Sequence, residues 1–185
     1  MSFTQKIISV AAGVALIAGA GAMAATPAAA SKHVKISGKT IISFDKALAP
    51  IVAGIEVVAP ATKSGTMLGF PVTGADGNGV THSGGIKIGG IEALNPVIII
   101  NTETGGAIIN VSVGGNPVPL FNVKNFKAGK PSKKGKATTI VWSGFLHMTD
   151  SQAIVDIVNG AIGQPVFTPD QGLGKIRTTI IETKK

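Results

Sequence analysis

Val34-Lys35-Ile36-Ser37-Gly38 alternates apolar and polar side chains and then stops at a glycine, which is the period-two pattern of a strand with one buried face. The same signature recurs along the chain. It marks strands at Thr66–Val72, Val80–Ile88, Val97–Thr102, Ala107–Val113, Val118–Val123, Thr138–Phe145 and Gly174–Glu182. Between them lie groups such as Gly74-Ala75-Asp76-Gly77-Asn78-Gly79 and Gly114-Gly115-Asn116-Pro117, which supply the positive φ angles and preset bends that turns need. Many short strands with turn signals between them predict a mainly β protein, an antiparallel β-sandwich or open barrel.

Two short helices interrupt the strands. Ile154, Ile157, Val158 and Ala161 share one face over Asp150–Ile162, and Thr149-Asp150-Ser151-Gln152 has the form of a capping box. Gly163 is placed to close this helix in a left-handed conformation, and Pro165 stops it. A weaker turn spans Asp45–Ala53, interrupted by Pro50. Shifting the chain by 105 positions superposes Asp45 on Asp150, Pro60 on Pro165, Leu68 on Leu173, Gly69 on Gly174 and Thr73 on Thr178. These coincidences suggest a pseudo-twofold internal repeat of strand, short helix, loop and strand. The stretch Phe126–Lys136 is rich in cations and poor in groups to bury, so it reads as a mobile hairpin loop.

Residues 1–30 read as a signal peptide: Lys6 is their only charge, an apolar run covers Ile7–Ala18, and small residues follow. Residues 31–185 are then a single β-sandwich domain, secreted or held at the cell surface. Removing the leader takes Lys6 alone from 17 basic and 9 acidic residues, which leaves a net charge of +7. Such a surplus suits electrostatic adhesion to an anionic cell-envelope polymer or to lipid headgroups, a peripheral membrane contact. Another surface protein is a further partner of this kind.

The chain has no Cys and no Tyr, and Trp142 stands alone. Disulfide scaffolds, thiolate metal sites and cysteine nucleophiles are therefore excluded. Scarce aromatics argue against carbohydrate platforms and against single-stranded nucleic acid, which stacks its bases on rings. No His-x-His or His-x-x-x-His pair exists for a metal. His82, in Thr81-His82-Ser83-Gly84-Gly85, and His147 are the candidate cofactor-binding residues, and His33 sits at the ragged start. Ser143, His147 and Asp150 have the residue types of a hydrolase triad, but triad members usually converge from separate elements, and no Gly-x-Ser-x-Gly elbow occurs. No catalytic residue, metal or cofactor is assigned.

Gly69-Phe70-Pro71-Val72-Thr73-Gly74, Val80-Thr81-His82-Ser83-Gly84-Gly85-Ile86-Lys87-Ile88 and Val118-Pro119-Leu120-Phe121 come in an order that is familiar. With the Thr149-Asp150-Ser151 helix and Gly172-Leu173-Gly174-Lys175-Ile176, this order resembles secreted β-rich domains of actinobacteria, akin to the HtaA family of haem-uptake domains. The resemblance implies an exported β-sandwich and, in the better-characterised members, haem capture through a tyrosine helped by histidine. The chain lacks that tyrosine, so His82 or His147 would have to act alone. The leading expectation is a non-enzymatic envelope or extracellular protein that works by binding or structural adhesion. Haem or small hydrophobic-ligand binding is the alternative, and an envelope hydrolase is the third reading.

Overall fold

The computed structural model describes residues 34–76 and 78–184. The segment read as a leader, and His33, lie outside the described residues. Twelve strands form: β1 (Val34–Phe44), β2 (Glu56–Val58), β3 (Thr62–Ser64), β4 (Met67–Ala75), β5 (Gly79–His82), β6 (Gly85–Ile88), β7 (Ile91–Asn101), β8 (Gly106–Val113), β9 (Asn116–Ala128), β10 (Ser132–Lys134), β11 (Ala137–Met148) and β12 (Gly172–Lys184). All pairings are antiparallel. Eight strands run in the order β7-β5-β4-β1-β12-β11-β9-β8, and β8 pairs back onto β7. The ring is thus a closed barrel, and β2, β3, β6 and β10 are added outside it. The mainly β, antiparallel class expected from the alternation is what the chain adopts. Pairing β7 with β8 removes the free edges that an open barrel or a two-sheet sandwich would leave.

Alternate residues fill the barrel. Thr40, Ile42 and Phe44 on β1 and Ile176, Thr178 and Ile180 on β12 are buried, while Lys39, Lys175 and Arg177, on the alternate positions, are exposed. Gly38 and Gly174 let these two strands coil closely around each other: at φ +147° and +145°, a Cβ on either would lie about 2 Å from a backbone carbonyl oxygen, of Thr179 or Ser43.

Several local expectations change. The predicted strand Val80–Ile88 breaks at Ser83-Gly84 into β5 and β6, because β5 stays in the ring while β6 turns outward to pair with β2. Pro50 does not interrupt a helix. It stands in the first turn of the α-helix Ala49–Ala53, after a 3-10 turn at Lys46–Leu48, where its missing N–H costs nothing. The expected loop Phe126–Lys136 is largely strand: β9 continues to Ala128, Phe126 is buried in stacked contact with Trp142, and β10 pairs with β11.

The helix Gln152–Ile162 starts one residue after Ser151, without the capping box. Thr149 Oγ1 instead accepts the Ser151 N–H, and the Gln152 amide donates to Asp156. Gly163 closes the helix at φ +81° as expected. Residues of both helices, Ile51 and Val158, meet the strand-end side chains Phe44, Met148 and Leu173 around one apolar cavity, so the two helices cover the same mouth of the barrel.

Candidate functional site

His82 belongs to the barrel interior. β5 points it inward between β1, β12 and β7, where it is 5% exposed. Its Nδ1 lies 2.8 Å from the Pro96 carbonyl oxygen, its Nε2 2.6 Å from Thr40 Oγ1, and Thr40 Oγ1 2.9 Å from Thr178 Oγ1. Burial lowers the His82 pKa, an effect the Pro96 hydrogen bond partly offsets, so the ring is neutral near pH 7. A carbonyl only accepts, so Nδ1 carries the proton and donates to Pro96. Nε2 then accepts from the Thr40 hydroxyl, which in turn accepts from Thr178. Both ring nitrogens are occupied, and the chain of bonds is complete.

His147 is held elsewhere. Its Nδ1 donates to the Asp170 carbonyl at 2.9 Å and stands 3.5 Å from Asp170 Oδ1. Asp170, at φ +58°, also accepts from Lys124 Nζ at 2.6 Å, and that bond holds its carboxyl below the usual range. The two histidines share no hydrogen-bond partner, and neither lines the apolar cavity under the helices. Ser143 and His147 are four residues apart on the extended strand β11, about 13 Å. They do not assemble the triad that their residue types suggested. Among the described residues, no group of three or more His, Asp or Glu is disposed to hold a metal.

The cavity is lined wholly by apolar side chains, among them Phe44, Ile55, Phe121, Met148 and Phe167, and has about 40 Å³ of free space. An apolar cavity that takes up benzene is nearer about 150 Å³. A haem does not fit there without displacing a helix.

The outer face of β1, β12, β11 and β9 is a different matter, because the strand register gathers on it cations that are scattered in the sequence. Residues directly opposite on paired strands point to the same side. One such row is Lys124–Phe145–Lys175–Ser43, and the next is Lys127–Ser143–Arg177–Ile41. Further along β11, Val141–Thr179–Lys39 forms a third row, and Lys134–Ala137–Thr183–Lys35 lies at the far end. All seven cations are exposed. No carboxylate belongs to these rows, and among the described residues the acid paired with them is Asp170, on Lys124. From Phe145 to Ala137 the track runs about 27 Å. Phe145 is half exposed at its head.

In the sequence the cations of Phe126–Lys136 stand out as a cluster, and those of β1 and β12 do not. Their signal was present: Lys35 and Lys39 on β1, like Lys175 and Arg177 on β12, fall on the polar beat of the alternation. Which strands stand side by side was not legible.

No known protein family matches the chain, and no curated protein matches it. Among solved structures it is similar to the C-terminal domain of HtaA from Corynebacterium glutamicum, with a TM-score of 0.54 and 12% sequence identity over 81% of this chain and 98% of that one. At that identity the likeness is one of fold, and the fold bears out the resemblance drawn from the glycine-rich segments.

Proposed function

We propose that the chain is an exported, non-enzymatic barrel that acts at the cell envelope by adhesion, holding an anionic envelope polymer along the outer face of β1, β12, β11 and β9. The observation that carries this reading is the register of seven exposed cations about β11, two each on β1, β12 and β9 and the seventh, Lys134, on β10, with no carboxylate in their rows. Lysine dominates the set, and its compact, strongly hydrated charge suits neutralisation of a polyanion more than bidentate recognition of one group. A linear track suits a linear chain of charges. The sequence adds the leader-like segment and the basic balance.

Retention of the purified chain on an anionic polymer, such as immobilised polyphosphate, tests the reading. Binding is expected at low salt, with release as salt rises, since exposed charges are screened. Replacing Lys175 and Arg177 on the central strand β12 by Glu should abolish retention while leaving the fold intact. Failure of the unaltered chain to bind at low salt, or equal retention of the double variant, would overturn the proposal.

The haem or hydrophobic-ligand alternative draws on the fold likeness alone, because His82 has no free ring nitrogen and the cavity is small. A Soret shift on adding haemin to the purified chain would revive it.

A further inference from the structure

We infer that the polyanion held on this face is a glycan bearing acidic groups, one of whose saccharide rings lies flat on Phe145. The inference rests on the adhesion reading and turns on a residue that adhesion by charge alone does not need. Phe145 is 50% exposed, more than Val34, Val57, Met67, Ile99 or Ile108, the other exposed large apolar side chains. It is also the one aromatic ring among them: scarce aromatics argue against a carbohydrate platform of several rings, and what this face offers is a single ring flanked by cations.

Its direct cross-strand neighbours are Lys124 on β9 and Lys175 on β12. Across two strand spacings these ammonium groups are rooted about 10 Å apart, with the ring between them. Along β11 itself the neighbours on the same face are Ser143 and His147, so nothing bulky and apolar covers the ring. A polyphosphate gains nothing from an apolar surface set between its counter-charges, and desolvating its oxyanions against that surface is unfavourable. A sugar ring has an apolar C–H face and carries its acidic group at the rim. Laid on Phe145, it covers the aromatic surface, and a carboxylate or phosphate on it or on the adjoining residue reaches the ammonium of Lys175 on one side, while Lys124 on the other already holds Asp170.

Two other occupants fit less well. Phe145 lies within the length of a strand, flanked by longer lysine side chains, and not at a projecting loop tip that would enter a bilayer first. Single-stranded nucleic acid stacks successive bases on successive rings, and this track offers one.

The test compares binding of the purified chain to three probes, polygalacturonate, inorganic polyphosphate and oligothymidylate, at one fixed low salt concentration. Phe145→Ala and Phe145→Leu should each weaken polygalacturonate binding about three- to tenfold, the range of one aromatic contact. Both should leave polyphosphate binding within about twofold of the unaltered chain. Phe145→Trp should bind polygalacturonate at least as well as the original, and unchanged far-UV spectra and melting temperatures would establish that the variants fold.

Loss of polyphosphate binding in the original chain would sink the adhesion reading itself. Polyphosphate binding with polygalacturonate insensitive to Phe145, or with Phe145→Leu as good as Phe, would leave adhesion standing and overturn the glycan. Tighter, Phe145-dependent binding of oligothymidylate would overturn it in favour of nucleic acid.

Discussion

Thr40, His82 and Thr178 are the polar residues at the centre of the barrel, and their chain of hydrogen bonds makes the interior sensitive to acid. His82 has a folded pKa below the ordinary histidine value of 6.5 because burial disfavours the charged ring. The unfolded chain therefore binds the proton more readily. Its contribution to stability is present above about pH 6.5 and is lost as pH falls below that value toward the folded pKa. The urea midpoint should drop between about pH 7.5 and about pH 5, and His82→Asn should flatten that part of the profile. Thr40→Val removes the donor to Nε2 and the acceptor of Thr178 together, at an expected cost of about 1–3 kcal/mol in urea unfolding. Of this trio the sequence placed His82 and Thr178 on strands and no more. Its partner Thr40 is 42 residues away, and Thr178 is 138 residues from Thr40. Local alternation states which side of a strand a residue takes but not what waits across the barrel.

At the scale of elements, the strand–helix–strand unit occurs twice, as β1 to β4 and as β11 to β12. The 105-residue shift carries the pairs Lys39–Pro71, Thr40–Phe70 and Ile41–Gly69 onto Gly144–Ile176, Phe145–Lys175 and Leu146–Gly174. In the ring the units stand as β4-β1 and then β12-β11. The shift nevertheless carries buried Thr40 and Phe70 onto exposed Phe145 and Lys175, so it matches strand pairing without superposing the inner faces as the suggested two-fold requires. Leu68 and Gly69 match Leu173 and Gly174, yet only the second glycine sits at a positive φ, against the Ser43 carbonyl. Gly174→Ala should therefore lower stability by about 2 kcal/mol or more, measured by thermal unfolding, whereas a glycine with open space, such as Gly160, should tolerate the same change at little cost. Asn159 fixes the exit of the longer helix. Its amide donates to the Phe167 carbonyl and its oxygen accepts the N–H groups of Val166 and Phe167. Asn159→Ala should destabilise the chain by about 2 kcal/mol and increase hydrogen exchange at Val166 and Phe167. Strand identity, helix location and the Gly163 stop were legible because each is a local signal. The outward turn of β6 and the conversion of Phe126–Lys136 into strand were not, since Phe126 is buried by Trp142, which the sequence holds apart from it.

For the whole molecule, closure through β7 and β8 decides what the surface can do. A closed ring has no edge to extend by strand addition around most of its girth, so recognition falls to side chains on the convex face, and there register sets the charge pattern. The total charge was readable from composition, but its concentration was not. Nine acidic residues are present in the chain, and the rows across β1, β12 and β11 to β9 or β10 that carry the seven cations contain none of them. A uniformly mixed surface of the same net charge would show a shallow dependence of binding on salt. A track whose cations each displace a counterion should instead give a linear fall of log affinity with log salt concentration, and the slope should scale with the number engaged. Neutralising Lys127 and Arg177, which share one row, should reduce that slope by about 1–2. Neutralising Lys46 and Lys87, exposed or half-exposed and outside these rows, should leave it unchanged although the net charge falls equally. Titrating polyphosphate into both double variants over a series of salt concentrations separates the two cases, and equal slopes would mean that the molecule adheres by overall charge and not by its barrel face.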